Sequence, residues 1–156
     1  MRVLLAEDEG IIALLPQDVL EAAGHTVVAA SDGQAAVELA ARDGPFDALV
    51  TDLNMPRLEG GEVIRRLRAE TPSLPVVVLT GSPPREGVSV LARAGEPPVV
   101  LLLKPVAPED LLRGLDRAVA ATAMEAISEQ PNPPGERQAG GLQHATPSAS
   151  PAPGPI

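Results

Sequence analysis

Asp47-Ala48-Leu49-Val50-Thr51-Asp52-Leu53-Asn54-Met55-Pro56 decides the fold. Ala48 to Thr51 is too short for a helix of its own and apolar enough for a strand buried on both faces. The run ends in a carboxylate, Asp52, and turns at Pro56. Open α/β sheets bind their ligands at this place, the carboxyl edge of the strands. Taken alone, an aspartate at a strand end more often caps the next helix, so the rest of the chain has to distinguish capping from chemistry.

The same grammar repeats on either side. Met1 to Ala6 is a short buried-strand pattern running straight into Glu7, Asp8 and Glu9. Ile11, Ile12, Leu14, Leu15, Val19 and Leu20 follow at roughly helical spacing, with Gly24 as the stop. Pro16 removes a backbone donor, which predicts a kink or a helix that starts properly only near residue 16. Thr26 to Ala30 reads as a second strand, and Ser31-Asp32-Gly33 turns into an amphipathic helix from about Gln34 to Arg42. After Pro56 a helix carries Val63, Ile64 and Leu67 on one face, with Arg65, Arg66 and Arg68 assigned to a solvated face. Pro75 to Thr80 is the clearest buried strand and ends in the Thr80 hydroxyl. A weak, short helix to about Ala94 comes next, then a strand over Val99 to Leu103 ending in Lys104-Pro105, and a final amphipathic helix from Ala107 to Met124. Five alternations of strand and helix predict an α/β fold, a doubly wound parallel sheet with helices on both faces, because parallel neighbours need crossover connections.

Composition narrows the function. The 156 residues allow one domain, 1–124, plus a Pro/Gly/Ser-rich extension, 125–156, too poor in apolar residues to offset its ordering entropy and therefore expected to be disordered. The core must be aliphatic, since Phe46 is the sole aromatic residue. A net charge of −9 without a Lys/Arg stripe argues against nucleic acid. There is no cysteine for a disulfide or thiolate site, no signal-peptide pattern and no apolar run of membrane-spanning length, which together suggest a cytoplasmic protein.

In a parallel sheet, Glu7 and Asp8, Asp52, Thr80 and Lys104 all fall at one edge. Each has an ordinary structural explanation in isolation; converging, they do not. Three carboxylates drawn together repel unless a cation sits among them, and hard oxygen ligands favour Mg²⁺. A divalent ion, an ammonium and a hydroxyl around a further carboxylate suit phosphoryl transfer, whose moving group spreads negative charge over its oxygens. Asp52 would be the nucleophile, forming an acyl phosphate.

Leu4-Leu5-Ala6-Glu7-Asp8-Glu9, Thr51-Asp52-Leu53-Asn54-Met55-Pro56 with Gly60, Val78-Leu79-Thr80-Gly81 and Leu103-Lys104-Pro105 resemble the receiver domain of two-component response regulators, over roughly residues 1–122. The resemblance implies a flavodoxin-like strand order 2-1-3-4-5 and phosphorylation of Asp52 from a phosphohistidine. It implies that Asp8 ligates Mg²⁺ directly, Glu7 through water, and Asn54 through its backbone carbonyl, beside Asp52 itself. Thr80 and Lys104 would bind phosphoryl oxygens, with a cis bond before Pro105. Leu101 stands where the family carries its switch aromatic, so the usual coupled rotamer is missing.

No output domain is recognisable after residue 124, which suggests a single-domain response regulator, a phosphoprotein of a phosphorelay that signals through protein contact or onward phosphotransfer. Such a protein is a self-phosphorylating acceptor rather than an enzyme turning over a substrate. Its partners would be a histidine kinase or histidine phosphotransfer protein, docking near the first helix, and a downstream protein. Two alternatives are a receiver-like adaptor that works without phosphorylation and an aspartate-nucleophile phosphohydrolase. The second is disfavoured by Asn54, since such enzymes usually place an acid/base Asp two residues past the nucleophile. His25 and His144 are read as solvent-facing and without a role.

Overall fold

The computed structural model describes residues 1–129. Five strands, β1 (Arg2–Ala6), β2 (Thr26–Ala30), β3 (Ala48–Thr51), β4 (Val76–Thr80) and β5 (Val100–Leu103), form one sheet of order β2-β1-β3-β4-β5. All neighbouring pairs are parallel. Helices α1 (Gly10–Ala22), α2 (Gly33–Asp43), α3 (Gly60–Glu70) and α4 (Pro108–Glu129) cross between or follow the strands. This is the doubly wound, flavodoxin-like arrangement that the alternating pattern predicts.

Side chains of a strand point alternately to its two faces, so a sheet covered on both sides reads as continuous apolar sequence. Leu4, Leu49, Val76 and Val78 pack against α2 and α3 through Ala36, Val63, Ile64 and Leu67. Val3, Leu5, Val50, Val77 and Leu79 pack on the other face against Ala13 and Leu20 of α1 and Leu111, Leu115 and Ala118 of α4. Burying one such aliphatic side chain contributes about 1.5–3 kcal/mol. Aliphatic residues therefore suffice for a core in which Phe46 is the lone ring, itself covered by the Arg2 guanidinium 4.5 Å from its centroid.

The structure departs from the expectations in several places. Helix α1 begins at Gly10 and runs through Pro16, ending before Gly24 at φ +97°. The fourth crossover holds no α-helix, only a 3₁₀ turn, Val88–Leu91. Pro83-Pro84, Gly87 and Gly95 at positive φ, and Pro97-Pro98 leave too few residues between breakers to cover the cost of helix nucleation. The last helix runs five residues past Met124, to Glu129. The remainder of the extension expected to be disordered lies outside the described residues. Arg68, assigned to the solvated face of α3, is instead 1% exposed.

Candidate functional site

Strand register brings the polar residues to one level. Ala6 pairs with Thr51 and Thr80 with Leu103, so Glu7, Asp52 and Lys104 each stand one residue beyond a paired position. The ladders continue past the strand ends: Glu7 N–H donates to the Ala30 carbonyl at 3.2 Å, Asp52 N–H to Ala6 at 3.1 Å and Lys104 N–H to Thr80 at 2.9 Å. The backbone of each site residue is thereby fixed before its side chain makes a contact.

Asp52 Oδ1 accepts the N–H of Leu53 at 2.6 Å and of Asn54 at 3.3 Å. Its Oδ2 takes Lys104 Nζ at 2.9 Å, and the same ammonium reaches Glu7 Oε2 at 2.8 Å. Glu7, Asp8 and Asp52 each offer a carboxylate oxygen within 4.8 Å of the others. Burial pushes the Glu7 carboxyl above its ordinary 4.5, and Lys104 only partly offsets it. Burial also works against the charge on Lys104, yet its bonds to Glu7 and Asp52 hold the ammonium above its ordinary 10.5. Three close carboxylates against one ammonium leave net negative charge, and an all-oxygen donor set of this kind fits a hard divalent cation that keeps part of its water shell.

Thr80 is fully buried, and its hydroxyl pairs with the backbone of Ser82, accepting the N–H at 3.1 Å and lying 3.3 Å from the carbonyl. Asn54 sits beside Asp52 with an exposed side chain. The peptide bond from Lys104 to Pro105 is cis. Leu101 is partly buried against the α2/α3 side of the core. The structure therefore brings Glu7, Asp8, Asp52, Asn54 and Lys104 together, and places Thr80 at the same sheet edge with its hydroxyl turned to the loop that follows.

Two residues of the quoted motif, given no role from the sequence, support the acceptor. The Thr51 hydroxyl, fully buried, donates to the Asp52 carbonyl at 2.8 Å. Gly60 opens α3 against that same carbonyl: a Cβ there would lie 2.1 Å from the oxygen. The β3–α3 loop is further tied to α2, since Arg57, at φ +70°, pairs with Asp32 at 3.3 Å, and Asp32 caps α2 through Ala35 N–H at 2.7 Å.

Beside the pocket an apolar cleft of about 520 Å³ runs between α1 and α4, with Glu7 and Lys104 at its polar end and Ile11, Ile12, Leu15 and Val106 among its walls. Ile11 is 87% exposed and Leu15 57%. His25, expected to face solvent, is half-buried, its Nδ1 lying 3.1 Å from the N-terminal amine. Among the described residues, no helix is long and apolar enough to cross a membrane.

Residues 3–116 match the family described as Response regulator receiver domain. The chain is 38% identical over 126 residues to Response regulator MprA of Mycobacterium ulcerans, covering 80% of this chain and 53% of the relative. It is 36% identical over 120 residues to Transcriptional regulatory protein PdtaR of Mycobacterium tuberculosis, covering 76% and 57%. The chain thus spans about half the length of the curated relatives it matches. Among solved structures, a response regulator receiver protein from Sinorhizobium medicae superposes with a TM-score of 0.69 at 30% identity, covering 78% of this chain and 96% of that one. Chemotaxis protein CheY4 of Vibrio cholerae gives 0.66 at 29%, covering 75% and 97%.

Proposed function

Because the chain belongs to the response regulator receiver domain family, we propose that it accepts a phosphoryl group on Asp52 from a phosphohistidine of a kinase or phosphotransfer protein and signals through protein contact or onward phosphotransfer. The observation that carries this reading is the Lys104 ammonium spanning Glu7 and Asp52 beside Asp8 at the open edge of the sheet. A carboxylate oxygen of Asp52 forms a P–O bond as the P–N bond breaks, the electron pair returning to the imidazole nitrogen. Leu53 and Asn54 N–H groups orient the carboxylate through Oδ1. Lys104 already contacts Asp52 and is within reach of the charge that develops on the phosphoryl oxygens. Thr80 supplies a second donor once its hydroxyl leaves Ser82. Glu7, Asp8, Asp52 and the Asn54 carbonyl would hold Mg²⁺, which when bound neutralises phosphoryl charge. The exposed aliphatic face of α1 next to the pocket suits the donor's docking surface.

A phosphorylation-independent adaptor is the second reading, favoured by Leu101 at the switch position and by the Thr80–Ser82 pairing. Intact-mass analysis after incubation with acetyl phosphate and Mg²⁺ distinguishes the two. A single phosphoryl adduct, Mg²⁺-dependent and absent from Asp52→Asn, is the expected result. No adduct from acetyl phosphate or from phosphohistidine donors, with Mg²⁺ bound, would favour the adaptor.

A further inference from the structure

Arg68 is among the largest fully buried side chains of the chain, and nothing in the phosphoryl-transfer reading uses it. Its neighbours Arg65 and Arg66 pair with Glu62 at the surface of α3. Arg68 turns inward: Nε and a terminal nitrogen donate to the Leu74 carbonyl at 3.2 and 3.0 Å, and the other terminal nitrogen donates to Pro97 O at 2.8 Å. Glu96 closes the arrangement at 3.5 Å and also accepts the Arg93 N–H at 3.0 Å. One guanidinium thus ties the turn before β4 to the approach of β5.

Stability alone gives a weak account of this charge, because replacing a buried ionic group by apolar side chains is often neutral or favourable. Position gives a better one. β5 is an edge strand of four residues, laddered only to β4. The segment leading into it contains one 3₁₀ turn instead of the helix that would otherwise fix its entry. The strand nevertheless delivers Lys104, whose ammonium must meet Glu7 on the β1 side and Asp52 beyond β3.

We propose that Arg68 is a positioning residue for Lys104: by anchoring Glu96 and Pro97 it fixes the entry of β5, and so holds the ammonium at the phosphoacceptor. The chemical half of this inference rests on the acceptor reading of Asp52; the structural half does not. Glu7, Asp8 and Asp52 follow directly on β1 and β3 and keep their places without it.

The test is amide hydrogen exchange on the full chain as Arg68→Met, followed by phosphorylation from acetyl phosphate with Mg²⁺. Lys104 N–H, bonded to the Thr80 carbonyl, reports strand docking with no phosphoryl donor present. Its exchange should rise about tenfold or more while Leu49 to Thr51 of β3 stay within about twofold. Phosphorylation should be slowed about tenfold, with no additional slowing when Arg68→Met is placed on Lys104→Met, as expected for two residues acting through one contact. Native protection at Lys104, or equal loss in β3 and β5, overturns the proposal, as does an undiminished effect of Arg68→Met in the Lys104→Met background. If Arg68→Met does not fold, Glu96→Ala loosens the same anchor from its more exposed side and should raise Lys104 exchange selectively by a smaller factor; native exchange there overturns the proposal. A native chain that takes no phosphoryl group sinks the acceptor reading, and the exchange result still decides the anchor.

Discussion

Lys104 Nζ lies 2.8 Å from Glu7 Oε2 and 2.9 Å from Asp52 Oδ2, so a single ammonium joins carboxylates that leave two different strands. The pocket contains its own counter-charge, and its behaviour follows from what is exchanged for that charge.

Lys104→Met removes the cation and leaves two nearly buried carboxylates facing each other. The metal-free chain should lose about 1–3 kcal/mol at neutral pH, as an uncompensated charge pair does, and most of this should return on adding Mg²⁺ or lowering the pH. Urea unfolding with and without the ion measures it. Phosphorylation from acetyl phosphate should fall about 10²-fold, the usual effect of losing one donor to developing charge.

Glu7 sets the pH dependence of cation binding. Its carboxyl is raised above 4.5 by burial, so protonation favours the fold at low pH. That contribution is fully present below the ordinary value and disappears as the pH rises through the raised one. A proton and a divalent cation compete for this oxygen, so Mg²⁺ affinity measured calorimetrically should fall as the pH is lowered through the raised Glu7 value. Glu7→Gln should bind Mg²⁺ more weakly and with a flatter profile.

Gly60→Ala places a methyl group 2.1 Å from the Asp52 carbonyl. Neither α3 nor the end of β3 can yield without disturbing the other, and the variant should be destabilised by about 2–4 kcal/mol. Thermal unfolding measures the cost, and the folded fraction should accept phosphoryl groups poorly because Asp52 has moved.

Ile11→Lys and Leu15→Glu alter an exposed apolar face without touching the carboxylates. Stability should change by less than about 0.5 kcal/mol, and phosphorylation from acetyl phosphate should stay at the native rate. Transfer from a phosphohistidine protein should slow at least about tenfold, which stopped-flow mixing with labelled donor measures. Equal slowing with both donors would remove α1 from the docking surface.

The sheet and the pocket were legible because each is written in contiguous residues. Four of the strands are short apolar runs, and each sends to the site either the next residue in sequence, as with Glu7, Asp52 and Lys104, or its own last one, Thr80. Arg68 was misread because its charge outweighed its phase: it stands one turn after Ile64 and beside Leu67, on the stripe facing the core. Its partners, carbonyls of Leu74 and Pro97, carry no side-chain signal at all. The same holds for the Leu53 N–H on Asp52 and for Ser82 at Thr80, which depend on loop backbone geometry. The weak, short helix expected between β4 and β5 shrinks to a 3₁₀ turn because the flanking prolines and glycines leave it no room.

Glu7 and Lys104 are 97 positions apart in the chain. Their contact forms only after β5 has joined the sheet, and contacts of such long sequence separation are among the slower events of folding. A chain still emerging from the ribosome, or one cut before Lys104, would carry the three acids without their internal cation and could not act as an acceptor of native competence. On the acceptor reading, phosphoryl groups would then go preferentially to molecules whose topology is complete, so the pocket would favour finished folds over partial ones.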